Sequence, residues 1–126
     1  SSDVGRILIR TDFEDFSFMS THLDLDDKHR MNEAAAICTE LDYIRKPVFL
    51  AGDMNDSHRW KNLAFSVFLE DFQIFSDTEG NTIPGREENT ACIDYILFHD
   101  YKNFGHSKYR ITHCQNNHHR WANSRP

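Results

Sequence analysis

The sequence predicts a mixed α/β domain in which helices cover one face of a sheet. Strand-like segments alternate with two segments of helical periodicity, and no internal repeat or low-complexity tract interrupts this order. A chain of 126 residues, 39% of them hydrophobic, is long and apolar enough to enclose one modest core. We therefore expect a single globular domain over residues 1–126.

The first two predicted strands form a β-hairpin. Residues 6–11 (RILIRT) and 16–23 (FSFMSTHL) both have strand-like composition, and the acidic turn DFED separates them. Because side chains alternate along a strand, Phe16, Phe18 and His22 are expected to share one face. This places His22 near the end of a strand, on the same face as two aromatic rings.

A helix is predicted over residues 28–44. Asp26 and Asp27 precede it and supply an N-cap and an acid for the first turn. Arg30 and Glu33 are expected beside or outside the apolar face of this helix. That face consists of residues at helical spacing, namely Met31, Ala34, Ala35, Cys38 and Leu41.

The strand predicted over residues 47–51 is apolar without interruption, so we expect both of its faces to be covered. Gly52 ends this strand. A second apolar strand, CIDYILF, is predicted over residues 92–98 and carries Asp94 near its beginning. Weaker patterns predict a helix over 60–70, strands over 72–75 and 109–114, and a surface loop over 77–90.

Composition limits the classes of function. The formal net charge of -6 gives the chain no long-range attraction to a polyanion, which disfavours nucleic acid as a partner unless a basic patch or metal ions contribute. No apolar run reaches the length of a membrane span, and the N-terminus does not resemble a signal peptide. Three widely spaced cysteines do not make a disulfide framework and leave the cellular compartment open.

Polar residues follow or interrupt the ends of three hydrophobic strands: His22, the pair Asp53 and Asn55, and Asp94. A carboxylate in such a position loses hydration, which a metal, a charged partner or hydrogen bonds must offset. Asp53 and Asn55 are two residues apart, so in extended geometry they point the same way. Their oxygen atoms suit Mg²⁺ or Mn²⁺, and the amide can also donate to a phosphate oxygen.

Each of these residues also has a simpler interpretation when it is taken alone. The segment GDMND is compatible with a turn stabilised by Asx hydrogen bonds. Asp94 is compatible with a structural acid whose charge is satisfied, and His22 with a structural histidine on a strand. The functional hypothesis therefore rests on the set of residues and not on any one member.

Three segments come one after another in the chain: STHLDL with R..E on the next helix (Arg30, Glu33), then VFLAGDMND, then NTIPG leading to CIDYILF. In this order they resemble the histidine motif, the GDxN motif and the aspartate strand of the endonuclease/exonuclease/phosphatase family. That family comprises metal-dependent phosphoesterases such as deoxyribonucleases and sphingomyelinases. The resemblance covers residues 7–98, which is most of the chain.

The resemblance implies hydrolysis of a phosphate ester with Mg²⁺ or Mn²⁺ as the cofactor. His22 would contact the charged phosphate, and Asp53 would orient the attacking water or assist the leaving group. Asn55 would bind a phosphate oxygen or the metal shell, and Asp94 would orient a second histidine. Asp53 and Asn55 would thus be the metal ligands. The implied fold is half of a four-layer α/β/β/α sandwich of the α+β type, with a mixed, mostly antiparallel sheet and helices on one face.

The sequence departs from the family pattern in two respects. Family members have two similar halves whose sheets pack face to face, and this chain resembles only the C-terminal half, without the glutamate metal ligand of the first. The closing SDH motif of the family aligns either with ANSRP, which uses Asn123 and Ser124, or with NHHRW, which uses His118 and His119. Asparagine lacks the negative charge of the motif, and serine is a poor general base without an activating partner.

The tail also contains a cluster of residue types that zinc favours as ligands. Its members are His113, Cys114, His118 and His119. Their spacing matches no standard zinc module, and a solvated tail is the simpler interpretation.

These observations lead to two functional hypotheses. The chain is either an incomplete or impaired phosphoesterase, or a non-catalytic fragment or degenerate copy that serves in binding. A half-sandwich would expose an apolar sheet face, which predicts self-association or pairing with a missing N-terminal half. Nucleic acid, a phospholipid head group and a small phosphorylated metabolite are all open as substrates, because the loop over 77–90 carries no recognisable code.

Overall fold

The computed structural model describes residues 6–60, 63–80, 82 and 91–103. Their elements are β1 Leu8–Asp12, β2 Ser17–His22, α1 Asp27–Glu40, a 3-10 turn Leu41–Tyr43, β3 Val48–Asp53, α2 Leu63–Asp71, β4 Gln73–Ile74, β5 Asp94–His99 and a 3-10 turn Tyr101–Asn103. The strand predicted over 109–114 and most of the loop predicted over 77–90 lie outside the described residues. Of the helices in this part of the chain, none has the length and apolar character that a membrane crossing requires.

The five strands form one sheet in the order β1-β2-β3-β5-β4. β1 and β2 are the predicted antiparallel hairpin, with Leu8 opposite Thr21 and Asp12 opposite Ser17. β2 and β3 run parallel, whereas β5 lies antiparallel to both of its neighbours, β3 and β4. The sheet is therefore mixed and mostly antiparallel, as the sequence resemblance implied.

Helix α1 begins close to the predicted position and ends earlier. The N-cap carboxylate of Asp26 accepts a hydrogen bond from the backbone N–H of His29 at 3.0 Å, which satisfies one of the free donors of the first turn. The α-helix ends at Glu40 and continues as the short 3-10 turn. The predicted extension of the α-helix to residue 44 is therefore wrong, although the chain keeps a helical direction as far as Tyr43.

The predicted apolar face of α1 needs correction at three positions. Ala35 is exposed, whereas Ile37, which the predicted face omits, is buried. Arg30, expected beside or outside this face, is only 4% exposed. Its guanidinium can be buried because backbone carbonyls and carboxylates accept its hydrogen bonds and balance its charge.

The core lies between one face of the sheet and the two α-helices. Alternation along the strands turns every second side chain toward the helices, and these side chains are the buried ones. The resulting cluster joins Met19, Leu50 and Leu97 from the sheet to Ala34, Ile37 and Phe68 from the helices. Helices therefore cover one face of the sheet, as predicted.

The opposite face of the sheet, which we call the open face, is apolar and partly exposed. The strand register places Phe18, Phe49 and Phe98 opposite one another across β2, β3 and β5. Ile9 on the edge strand β1 is 60% exposed, and Ile96 on β5 is 41% exposed. Neighbouring rings cover Phe49 only in part, so β3 is fully covered on its helix face alone.

Gly52 allows β3 to approach β2 closely. Its φ of +151° lies in a region that residues with a Cβ rarely adopt, and a Cβ built there would lie 1.8 Å from the carbonyl oxygen of Thr21. Thr21 is the register partner of Gly52 in β2. A glycine is therefore required directly before Asp53 if the two strands are to keep this pairing.

Replacing this glycine tests the close approach directly. We expect Gly52→Ala to lower the free energy of unfolding by at least about 3 kcal/mol, because it combines backbone strain with a clash against backbone atoms. Ala35→Gly, at an exposed position within α1, gives the scale of a simple propensity effect, about 1 kcal/mol. Urea unfolding followed by circular dichroism measures both, and a loss at residue 52 no larger than that at residue 35 would contradict the close approach.

Candidate active site

Three of the predicted site residues form one row across the sheet. The register places His22 at the end of β2 opposite Asp53 at the end of β3, and Asp53 opposite Asp94 at the start of β5. Register partners project to the same face of a sheet. Each residue of the row lies four positions along its strand from a phenylalanine of the open face. Because side chains alternate between the two faces, the row lies on the open face as well. The sheet thus brings together three side chains that are far apart in the chain.

The imidazole of His22 lies against the carboxylate of Asp53. Nε2 of His22 is 3.3 Å from Oδ2 of Asp53, which is ion-pair distance when the imidazole is protonated. The side chain of His22 is 61% exposed and that of Asp53 is 30% exposed. Solvent can therefore reach both groups, which a structural pair within the core would not allow.

Asn55 reaches its position through a turn and not through strand alternation. β3 ends at Asp53, and Asn55 has a left-handed backbone with φ of +47°. Its backbone N–H donates to Oδ1 of Asp53 at 2.9 Å, and its side-chain Nδ2 donates to the carbonyl oxygen of Leu23 at 2.7 Å. Contrary to prediction, Asp53 and Asn55 are not related by extended geometry; GDMND forms the Asx turn of the simpler interpretation.

Asp94 has an unfavourable electrostatic environment for its charge. Partial loss of water around its carboxyl raises the pKa above the ordinary value, and the charge of Asp53 raises it further. A hydrogen bond from Thr82 and the nearby His22 oppose this shift without cancelling it. The row therefore contains two facing carboxyl groups, one of which holds its proton more tightly than a free aspartate does.

The loop between β2 and α1 is held by helix α1. Oε1 of Glu33 accepts a hydrogen bond from the backbone N–H of Asp24 at 2.8 Å. Nη1 of Arg30 donates to the carbonyl oxygens of Asp24 and Leu25 at 3.2 and 3.0 Å. The R..E pattern of the sequence thus has a structural role, which is to fix this loop directly after His22.

Asp56 contributes to the site region and was not a predicted residue. It is fully buried, and its Oδ2 lies 3.7 Å from Nε of the buried Arg30. Its Oδ1 accepts the backbone N–H of Ser57 at 2.8 Å. Arg30 therefore connects the loop after His22 to the turn that carries Asn55. No local pattern in the sequence indicates this ion pair, because Arg30 and Asp56 belong to separate segments that meet only through tertiary packing.

Several other predicted residues lie outside the described part of the chain. They are the alternatives for the closing motif and the proposed zinc-type ligands, namely His113, Cys114, His118, His119, Asn123 and Ser124. Within residues 6–60, 63–80, 82 and 91–103, no three side chains of His, Cys, Asp or Glu converge into a group that could hold a metal. The described part of the site is thus a row of groups and not a three-ligand centre.

Solved structures identify proteins that share this fold. An endonuclease/exonuclease/phosphatase family protein from Bacteroides thetaiotaomicron is 20% identical, with a TM-score of 0.56 over 67% of this chain and 35% of that chain. A mannosyl-6-phosphatase from the same organism is 19% identical, with a TM-score of 0.55 over 67% and 37% of the two chains. The cytolethal distending toxin of Haemophilus ducreyi is 17% identical, with a TM-score of 0.55 over 81% and 41%. No protein-family model and no curated protein matches the sequence.

The chain therefore has the fold found in endonuclease/exonuclease/phosphatase proteins, which confirms the resemblance seen in its motifs. Sequence identities of 17 to 20% show the fold alone. The chain covers between 35% and 41% of these three structures, so it spans well under half of their length. Such partial coverage does not carry the activity, substrate or partners of those proteins over to this chain.

The raised pKa of Asp94 predicts a pH-dependent effect of removing its charge. Because the folded state holds the proton more tightly than the unfolded state, the ionised carboxylate destabilises the fold at pH values above the folded pKa. Asp94→Asn should therefore raise the thermal unfolding midpoint at pH 7 and leave it nearly unchanged at pH 3, where both states are largely protonated. Thermal melts at the two pH values measure the difference. Asp42→Asn, an exposed acid on the 3-10 turn, is the matched control, and an equal response of both variants would contradict the electrostatic explanation.

Proposed function

We propose that this chain forms the C-terminal half of a metal-dependent phosphoesterase that hydrolyses a phosphodiester or a phosphomonoester. The observation that carries the proposal is the row of His22, Asp53 and Asp94 at one end of the sheet, within a fold that phosphatases share. Nucleic acid, a phospholipid head group and a small phosphorylated metabolite all present the required ester. The net charge of -6 disfavours nucleic acid among these three.

The residues of the row fit a divalent cation that keeps most of its water. Burial of its carboxyl and, to a smaller extent, the charge of Asp53 raise the pKa of Asp94, and a cation held at Asp53 would reduce the repulsion between the two carboxylates. Mg²⁺ is commonly bound through one or two carboxylates together with substrate phosphate and water. Asp53 would hold the ion, or Mn²⁺ in its place, with the amide oxygen of Asn55 as a second ligand. Bound Mg²⁺ would supply charge neutralisation for the phosphoryl oxygens.

The side chains of the site would have separate roles in hydrolysis. Protonated His22 would place positive charge beside a phosphate oxygen, and the Asp53 carboxylate would accept a hydrogen bond from the attacking water and orient it. Asn55 donates one amide hydrogen to Leu23, so its second amide hydrogen can donate to a phosphate oxygen. Asp94 would orient a second histidine. Each of these groups would act from a fixed backbone position, and positioning together with electrostatic stabilisation supplies most of the catalysis in phosphoryl transfer.

The second candidate function is non-catalytic association, and the open face favours it. Phe18 and Ile96 on this face are partly exposed, and Ile9 extends the apolar surface onto β1. Apolar surface of this kind marks an interface. The occupant we propose is an N-terminal half with a matching sheet, because the chain spans well under half of the structures that share its fold.

Hydrolysis of a generic substrate tests the catalytic proposal. We expect turnover of bis(4-nitrophenyl) phosphate or 4-nitrophenyl phosphate in the presence of Mg²⁺ or Mn²⁺, and its loss with EDTA. Asp53→Ala should lower kcat by at least about 100-fold, because it removes both a metal ligand and the group that orients water. Asp42→Ala, an exposed acid away from the row, should leave kcat unchanged. Absence of turnover with either metal would overturn the catalytic proposal for this chain and favour the association function.

The open face predicts that the chain associates through its sheet when no N-terminal half is present. Light scattering coupled to size exclusion should give a mass above that of the 14.8 kDa monomer, increasing with concentration. Ile9→Lys should shift the distribution toward monomer, since it places a charge on the apolar face. Leu69→Lys, at an exposed position of α2 on the helix side, should not. A monomer at every concentration would contradict the proposed interface.

A further inference from the structure

The hydroxyl group of Tyr95 lies at the centre of a small hydrogen-bond network beside the candidate site. It accepts from the backbone N–H of His58 at 3.0 Å and lies 2.7 Å from Nδ1 of the same residue. It donates to the carbonyl oxygen of Cys92 at 2.9 Å, and Oγ of Ser57 lies 3.5 Å away. One side-chain oxygen therefore contacts the segment after Asn55 and the segment before β5.

The number of available hydrogens determines the tautomer of His58. A tyrosine hydroxyl has a single hydrogen, and the carbonyl of the buried Cys92 can only accept. If that hydrogen goes to Cys92, the hydroxyl oxygen can only accept at its two close contacts with His58, so Nδ1 of His58 must carry a proton in order to donate. Neutral His58 is then the Nδ1–H form, and its Nε2 is an unprotonated acceptor.

The surroundings of Tyr95 keep its hydroxyl protonated and available to donate to Cys92. The residue is only 2% exposed, and burial raises the pKa of its hydroxyl, so the hydroxyl stays protonated and keeps its donor role. The ring packs at 4.6 Å between centroids against Phe65 and at 5.9 Å against the imidazole of His58. These ring contacts do not involve the hydroxyl, so the oxygen can be removed while the packing is kept.

The two segments that the hydroxyl connects carry two of the proposed site residues. Asn55 precedes the segment from Asp56 to His58, and its left-handed backbone makes its position depend on how that segment is held. Asp94 directly precedes Tyr95 and lies two residues after Cys92. The hydroxyl contacts both segments within three residues of these side chains. A shift of either segment would therefore change the distance between the Asn55 amide and the Asp94 carboxyl.

We propose that the hydroxyl of Tyr95 is a positioning group for the candidate site: it joins the segment from Asp56 to His58 to the chain entering β5, and it holds His58 in the Nδ1–H tautomer. The catalytic consequence rests on the proposed phosphoesterase function. The structural consequence, the tautomer of His58, does not depend on any activity. The two can therefore be tested separately.

Nitrogen-15 NMR of histidine-labelled protein tests the structural part. Long-range proton–nitrogen correlations in the full chain should show neutral His58 as the Nδ1–H tautomer. Tyr95→Phe should shift His58 toward the Nε2–H form and move the backbone and side-chain amide signals of Asn55. Tyr43→Phe removes an exposed hydroxyl on the 3-10 turn and should change neither signal. An Nε2–H tautomer in the unmodified chain would overturn the proposal without any variant, and so would an unchanged tautomer in a folded Tyr95→Phe.

Kinetics tests the catalytic part, with bis(4-nitrophenyl) phosphate as the substrate. Tyr95→Phe should lower kcat by about 10- to 100-fold with a smaller change in KM, since displaced groups act mainly on the reacting geometry. Tyr43→Phe should retain full activity. A shifted tautomer with unchanged kcat would overturn the positioning role in catalysis. If the unmodified chain shows no turnover, the proposed function fails, and the tautomer measurement alone decides whether the hydroxyl joins the two segments.

Discussion

The geometry of the candidate site depends on the close approach of β2 and β3 at Gly52. Only a residue without a Cβ fits against the backbone of β2 at this point, and the register that results brings His22 opposite Asp53. The N–H of Leu23 then donates to the carbonyl of Asp53 at 3.0 Å, so the pairing continues past the end of β2. Because Asn55 donates to the carbonyl of Leu23, the positions of three site residues depend on one region of strand contact.

The candidate site contains an arrangement of charged groups that lowers the stability of the fold. The open face of the central strands is lined by Phe18, Phe49 and Phe98, and it ends in a polar row in which solvent reaches His22 and Asp53. Loss of water around the Asp94 carboxyl, together with the charge of Asp53 opposite it, raises the pKa of Asp94, so keeping this carboxyl ionised costs stability. Local features that reduce stability without a structural benefit are expected where a protein binds or reacts.

The turn and the active-site interpretations of GDMND are compatible. The Asx hydrogen bond from Asn55 to Asp53 forms the turn, and the same bond fixes the position of the carboxylate. Buried groups support the turn from two directions, since Arg30 lies against Asp56 and the hydroxyl of Tyr95 contacts Ser57 and His58. Such support is what a site needs if its groups are to stay in reactive geometry.

Local signals in the sequence determined the hairpin, the two helices, the central strands and the identity of the polar residues at the strand ends. Alternation, helical spacing and capping act within a few residues, so they can be read without knowing the rest of the fold. Only the tertiary structure decided that His22, Asp53 and Asp94 form one row, because strand order and register depend on packing between distant segments. The burial of Arg30 and the hydroxyl contacts of Tyr95 could not be predicted for the same reason. Burial of an arginine is favourable only when partners from elsewhere in the chain balance its charge. In the same way, a core tyrosine joins two segments only when the fold places both of them beside its hydroxyl.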